Sequence, residues 1–264
     1  MPDKPKKPLS ARQKRILARE RFFKSRKAEK QFQRALQGVG NQVGKLIDGL
    51  APGGKVPKGK LGTLMKSLRE YAKLLEPWAR SVTQRMHVDV ERRDASSWMQ
   101  LSREMGAELQ REIREAPTAA LMRSLMSTQV ELITSIPREA AERVHKLTTE
   151  AISATAGRAD QVAKDILRSG QVSTGRAKLI ARTETSRTAA LLMESRSRYV
   201  GSTHYIWHTS EDSDVRREHR RLNGKTFSWS SPPNAGTSTA PMYYHPGCGP
   251  NCRCYAEPIL PDTV

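Results

Sequence analysis

Apolar residues recur at the three-and-four spacing of amphipathic helices through most of the chain before Gly201, where the period changes. Ser10 can cap a helix predicted to end near Leu36, with Ile16, Leu17, Phe22, Phe23 and Phe32 as a thin stripe among basic residues. Gly38, Gly40, Gly44, Gly49, Gly53, Gly54, Gly59 and Gly62, with Pro52 and Pro57, then predict a flexible connection over 38–62, with at most a short helical turn over 43–50. Leu64, Met65, Leu68, Tyr71, Ala72 and Leu75 mark the next helix. Another is predicted from Pro77 to about Glu115, carrying Trp78, Val82, Met86 and Trp98 and, further on, Leu101, Met105, Leu109 and Ile113. The pattern continues over 118–135, and Pro137 is expected to open a separate helix with Ala140, Ala141, Val144, Leu147 and Ile152.

Gly157 and Gly170 bound a short predicted helix around Val162, Ile166 and Leu167. Ser173 or Thr174 then caps a longer one whose inner face is Leu179, Ile180, Ala189, Leu192 and Met193. Beyond Gly201, β-branched and aromatic residues predict a strand over 203–209. A polar helix is expected over 211–221, led by acids, then an Asn223-Gly224 turn, a strand over 226–229 and a closing strand over 252–259. The predicted fold class is α+β, with mainly helical N-terminal two-thirds and a small α+β C-terminal module. Its expected parts are a basic helical arm (1–37), a Gly/Pro-rich linker (38–62), a helical region (63–156) and a C-terminal domain (157–264).

Composition supports long, exposed helices: apolar residues make up 37%, aromatics 5% and charged residues 28%. The basic N-terminus leads into no apolar signal core, and no apolar run nears the roughly 18 residues of a spanning helix. A soluble, cytoplasmically made protein with no membrane partner is therefore expected. The net charge of +19 is uneven. From Gly201 onward six bases balance six acids, whereas residues 1–35 carry thirteen Lys/Arg against Asp3, Glu20 and Glu29, a net of +10. Such an arm attracts a polyanion. Arg12, Lys14, Arg15, Arg19, Arg21, Lys24, Arg26 and Lys27 are its candidate phosphate contacts, reading no sequence. A solvated helix face is the alternative.

All three cysteines fall in His245-Pro-Gly-Cys248-Gly-Pro-Asn251-Cys252-Arg253-Cys254. With His219 they make a candidate metal set of His219, His245, Cys248, Cys252 and Cys254, suited to structural zinc. Buried thiols used as small core residues, or a disulfide, explain the same spacing. Asp212, Arg216 and His219 stand at i, i+4 and i+7, and on one helix would form a hydrogen-bonded ion network. His219, Asn223 and His245 could alternatively serve a metal-dependent nuclease with a histidine base. Arg182 and Glu184 cannot pair locally on a helix, so each needs a partner elsewhere.

Three segments in this order resemble the Mu F-like, SPP1-type family of phage head morphogenesis proteins. They are Leu179-Ile-Ala-Arg182-Thr-Glu184, then Trp207 through Asp212, Arg216 and His219 to Gly224, and Pro246 with Asn251-Cys-Arg253-Cys254. The resemblance covers about residues 160–260 and makes 157–264 a Mu F-like head morphogenesis domain. It implies a non-enzymatic minor capsid protein, a virion component in the head interior near the portal vertex. The implied partners are the portal protein, a major capsid or scaffolding protein, and packaged double-stranded DNA. Some relatives place a Cys-x2-Cys where this chain has Arg216-Arg-Glu-His219, which leaves His219 alone able to act as a ligand there.

Overall fold

The computed structural model describes residues 11–102, 115–152 and 156–261; the side chains of 11–25, 100–102, 152 and 156–158 lie outside that description. The helices are α1 (Ala11–Leu50), α2 (Leu61–Leu74), α3 (Glu76–Ser102), α4 (Thr118–Ile152), α5 (Ala156–Tyr199) and α6 (Arg217–Leu222). The strands are β1 (His204–His208), β2 (Thr226–Ser228) and β3 (Tyr255–Ile259). A mainly helical chain with a small α+β module at its C-terminal end is thus the observed class. Among the described residues no helix is long and apolar enough to cross a membrane. Two compact units are formed, each from segments remote in sequence.

One unit takes residues 30–85 and 126–182. Its core joins Val43, Ile47 and Ala51 to Leu64 and Leu68, to Ala140, Ala141 and Val144, and to Val162 and Ile166. The flexible connection expected over 38–62 is not what forms: α1 continues to Leu50, and a 3-10 turn (Pro52–Gly54) follows. The glycines permit close packing instead of breaking the helix. A Cβ on Gly40 would stand 2.6 Å from the Thr174 Cα, and one on Gly170 would stand 2.7 Å from the Gly44 Cα. Backbones this near leave room for hydrogen alone. The same contacts overturn the break expected at Gly170, since α5 runs on through it, while the helix starts at Ala156 beside the expected Gly157 boundary. Ser173 and Thr174 cap nothing; their hydroxyls donate back to the Ser169 and Gly170 carbonyls at 2.9 and 3.1 Å. Pro137 opens no new helix either and lies inside α4. Its missing N–H removes one rung of the ladder. Ile133, Ile136, Ala140 and Ala141, all buried on either side, hold the turns together by packing.

The other unit takes, of the described residues, 11–29, 86–102, 115–125 and 183–261. Within it α3 and α5 are joined by a buried ion pair, Arg196 Nε to Asp94 Oδ2 at 2.7 Å. Glu91 lies 3.9 Å from the same guanidinium and accepts a hydrogen bond from Thr118. The sheet is antiparallel in the order β2-β1-β3. Tyr205, Trp207 and Ala256 face a core with Trp98, Met193, Val200, Trp229, Ala235, Cys252, Cys254 and Leu260. On the opposite face of β1, His208 Nε2 lies 2.7 Å from Glu257 Oε2, with the imidazole stacked on Tyr255. Trp207 exchanges backbone hydrogen bonds with Lys225 and Gly224 on the β2 side. Antiparallel alternation therefore turns Tyr205 the same way and points the nitrogen of its β3 partner, Pro258, to the outer edge.

The helix expected over 211–221 shrinks to Arg217–Leu222. Glu211 takes a left-handed φ of 58°, and Asp212 Oδ1 accepts the Asp214 N–H at 3.2 Å, a local turn that competes with helix formation. Arg216 is extended at the N-cap. Asp212, Arg216 and His219 therefore do not share one helical face.

A candidate metal centre and the motif residues around it

His219, Cys252 and Cys254 meet in the core of the C-terminal module. α6 presents the imidazole; the chain just before β3 presents both sulfurs, which alternate residues in an extended segment place on one side. His219 Nδ1 lies 3.7 Å from the Cys252 Sγ and 3.4 Å from the Cys254 Sγ. The three ligand atoms all lie within 4.8 Å of one another, and the residues are only 3%, 2% and 5% exposed. Tyr244 Oη holds the other ring nitrogen, Nε2, at 3.1 Å, and Trp207 meets the imidazole edge-on at 5.6 Å. The backbone N–H of Gly247 donates to the Cys252 Sγ at 3.4 Å.

A hydrogen bond from Cys254 is the main reason the Cys252 thiol is held well below its ordinary pKa, with His219 helping against burial. The same bond, then burial, raises Cys254, and the Trp207 indole N–H works against that rise.

His245 and Cys248 are not in the cluster, so the five-residue set contracts to three. His245 Nδ1 lies 3.0 Å from the Tyr205 Oη, and burial pushes the imidazole pKa down. Burial, then Glu194, pushes the Cys248 thiol up to about 12. Left-handed residues at Gly247 (φ 86°) and Asn251 (φ 56°) turn the chain between these residues, so neighbours in sequence point apart.

The remaining motif residues hold this turn. Arg253 Nη2 lies 2.9 Å from both Asp212 Oδ1 and Asp214 Oδ2. Arg216 Nη2 donates to the Pro250 carbonyl at 2.8 Å, and the Asn251 N–H donates to Thr183 Oγ1 at 2.9 Å. Gly224, left-handed at φ 76°, donates its N–H to the Trp207 carbonyl at 2.7 Å, and Asn223 Oδ1 accepts the Thr209 N–H. Trp207 is fully buried. Glu184 is buried, its carbonyl accepting from Thr188, and Arg182 is half-buried.

Residues 142–257 match the model of the family described as Phage Mu protein F like protein. Over that stretch the chain is similar to the Mu F-like family. A relative in Haemophilus influenzae (strain Rd), described as an uncharacterized protein, is 30% identical over 181 residues, which are 66% of this chain and 38% of the relative. The chain thus spans well under half the length of that relative. No solved structure matches.

The Mu F-like segment begins within α4, upstream of the boundary expected at residue 157. Three of its working groups were not singled out from sequence. Thr183 and Tyr244 act through single hydroxyls that follow no spacing, and Gly247 acts through a backbone N–H. Only the Pro-Gly dipeptide ahead of Cys248 hinted at the last. Of the basic arm, Arg12, Lys14, Arg15, Arg19, Arg21 and Lys24 lie on α1 with side chains outside the described residues. Lys27 is exposed, and Arg26 stands 3.9 Å from Asp212 Oδ2.

Proposed function

We propose that this Mu F-like protein is a structural, non-enzymatic minor head protein of a tailed phage. It sits inside the head near the portal vertex, contacts portal and capsid or scaffolding protein, and holds packaged duplex DNA through the basic front of α1. The observation that carries this reading is where the family motif goes. Trp207, Asp212, Arg216, His219, Gly224, Asn251 and Arg253 are all committed to contacts that hold the C-terminal module together. His219, the residue a nuclease reading needs as a base, is 3% exposed with Nε2 on Tyr244 and Nδ1 on the two sulfurs. A motif spent on shape suits a docking module. The uneven charge, +10 over residues 1–35 and balanced beyond Gly201, suits a DNA-contacting arm beside it.

The test is localisation. Mass spectrometry of purified procapsids and virions should find the chain in few copies, and gold-labelled antibody on opened heads should mark one vertex. Protein abundant in the infected cell but missing from both particles would end the reading.

A further inference from the structure

We propose that His219 Nδ1, Cys252 Sγ and Cys254 Sγ bind one zinc ion that pins α6 to the segment entering β3. The site is independent of the head-protein reading, because it rests on the side chains alone.

Zinc takes sulfur at about 2.3 Å and imidazole nitrogen at about 2.0–2.1 Å, so two such ligands on a tetrahedral ion stand about 3.6 Å apart. The observed nitrogen–sulfur separations are 3.7 and 3.4 Å. The imidazole nitrogen therefore stands at coordination spacing from both sulfurs, which lie within 4.8 Å of each other. The surroundings also suit metal-bound thiolates. Gly247 aims its N–H at the Cys252 Sγ, and the buried indole N–H of Trp207 faces Cys254, where it favours the thiolate. A charged sulfur is the stronger acceptor for both of these buried N–H groups. Tyr244 fixes the ring through Nε2, leaving Nδ1 toward the sulfurs, as an orienting partner of a metal-bound histidine does. Two thiolates and a divalent ion sum to zero charge, which lets the cluster stay buried. Three protein ligands leave one tetrahedral corner, which falls to water.

The full chain is purified under reducing conditions without chelator, and its metal is measured by plasma mass spectrometry. One zinc per chain is expected. Replacement by cobalt should give sulfur-to-cobalt charge-transfer absorption and the visible bands of a tetrahedral ion. Cys252→Ser, Cys254→Ser and His219→Ala should each lose the metal, while Cys248→Ser and His245→Gln keep it. The cobalt spectrum of the unaltered protein stands even if a ligand variant fails to fold. Folded, reduced protein that carries no zinc and takes up neither ion overturns the proposal. So does metal lost with Cys248→Ser but kept by Cys252→Ser. Metal content is read on the isolated chain and location on the particle, so each idea can fail alone.

Discussion

Arg253 spans two carboxylates with one guanidinium nitrogen, but the two are unequal. Asp212 is 31% exposed and Asp214 is 70% exposed, so water screens the second contact more. Arg253→Ala should cost about 1 kcal/mol and lower the melting temperature by a few degrees. Asp212→Ala should approach that loss and Asp214→Ala should barely register; equal losses in thermal unfolding would refute the ranking. His245 carries a pH signature. Burial depresses its pKa in the folded chain, so the unfolded chain takes up the proton first as pH falls. Its contribution is complete above the ordinary value of about 6.5 and declines from there down to the depressed folded value. His245→Gln should flatten the fall in melting temperature between about pH 7 and 5 relative to the parent. An identical slope in both proteins would exclude the effect.

The glycines of α1 and α5 show what an element-level pattern conceals. Glycine reads as a breaker when one segment is considered alone, because the helix pressed against it is unknown. Gly38 and Gly170 separate the two meanings. Nothing lies within 4 Å of a Cβ added at Gly38, so Gly38→Ala should stabilise the protein by about 0.5–1 kcal/mol. A Cβ at Gly170 meets Gly44 backbone, so Gly170→Ala should destabilise by about 1–3 kcal/mol. The two shifts in melting temperature should have opposite signs. Pro137 looks like a helix start for a similar reason: its rule is local, while the burial of Ile133, Ile136, Ala140 and Ala141 on either side of it is decided by the fold. Strand β1, by contrast, was legible because its alternation of buried Tyr205 and Trp207 is written in adjacent residues. The Cys-x-Cys pair was legible on the same ground. His245 and Cys248 were not, since two left-handed residues redirect the chain between them and Cys252.

Across the whole molecule, charge was plain in the sequence while the two units were not, because each is assembled from stretches far apart in the chain. The charge makes a prediction of its own. Changing Arg12, Lys14, Arg15, Arg19, Arg21 and Lys24 to Gln should flatten the plot of log affinity for duplex DNA against log salt by up to about 5, at about 0.9 per phosphate contact. An unaltered slope would free the arm of that role. The sheet bears on crowding. Pro258 brings no donor to the outer rim of β3, so an incoming strand finds one rung of the ladder missing there. Copies brought together at high local concentration are thereby discouraged from zipping along this rim.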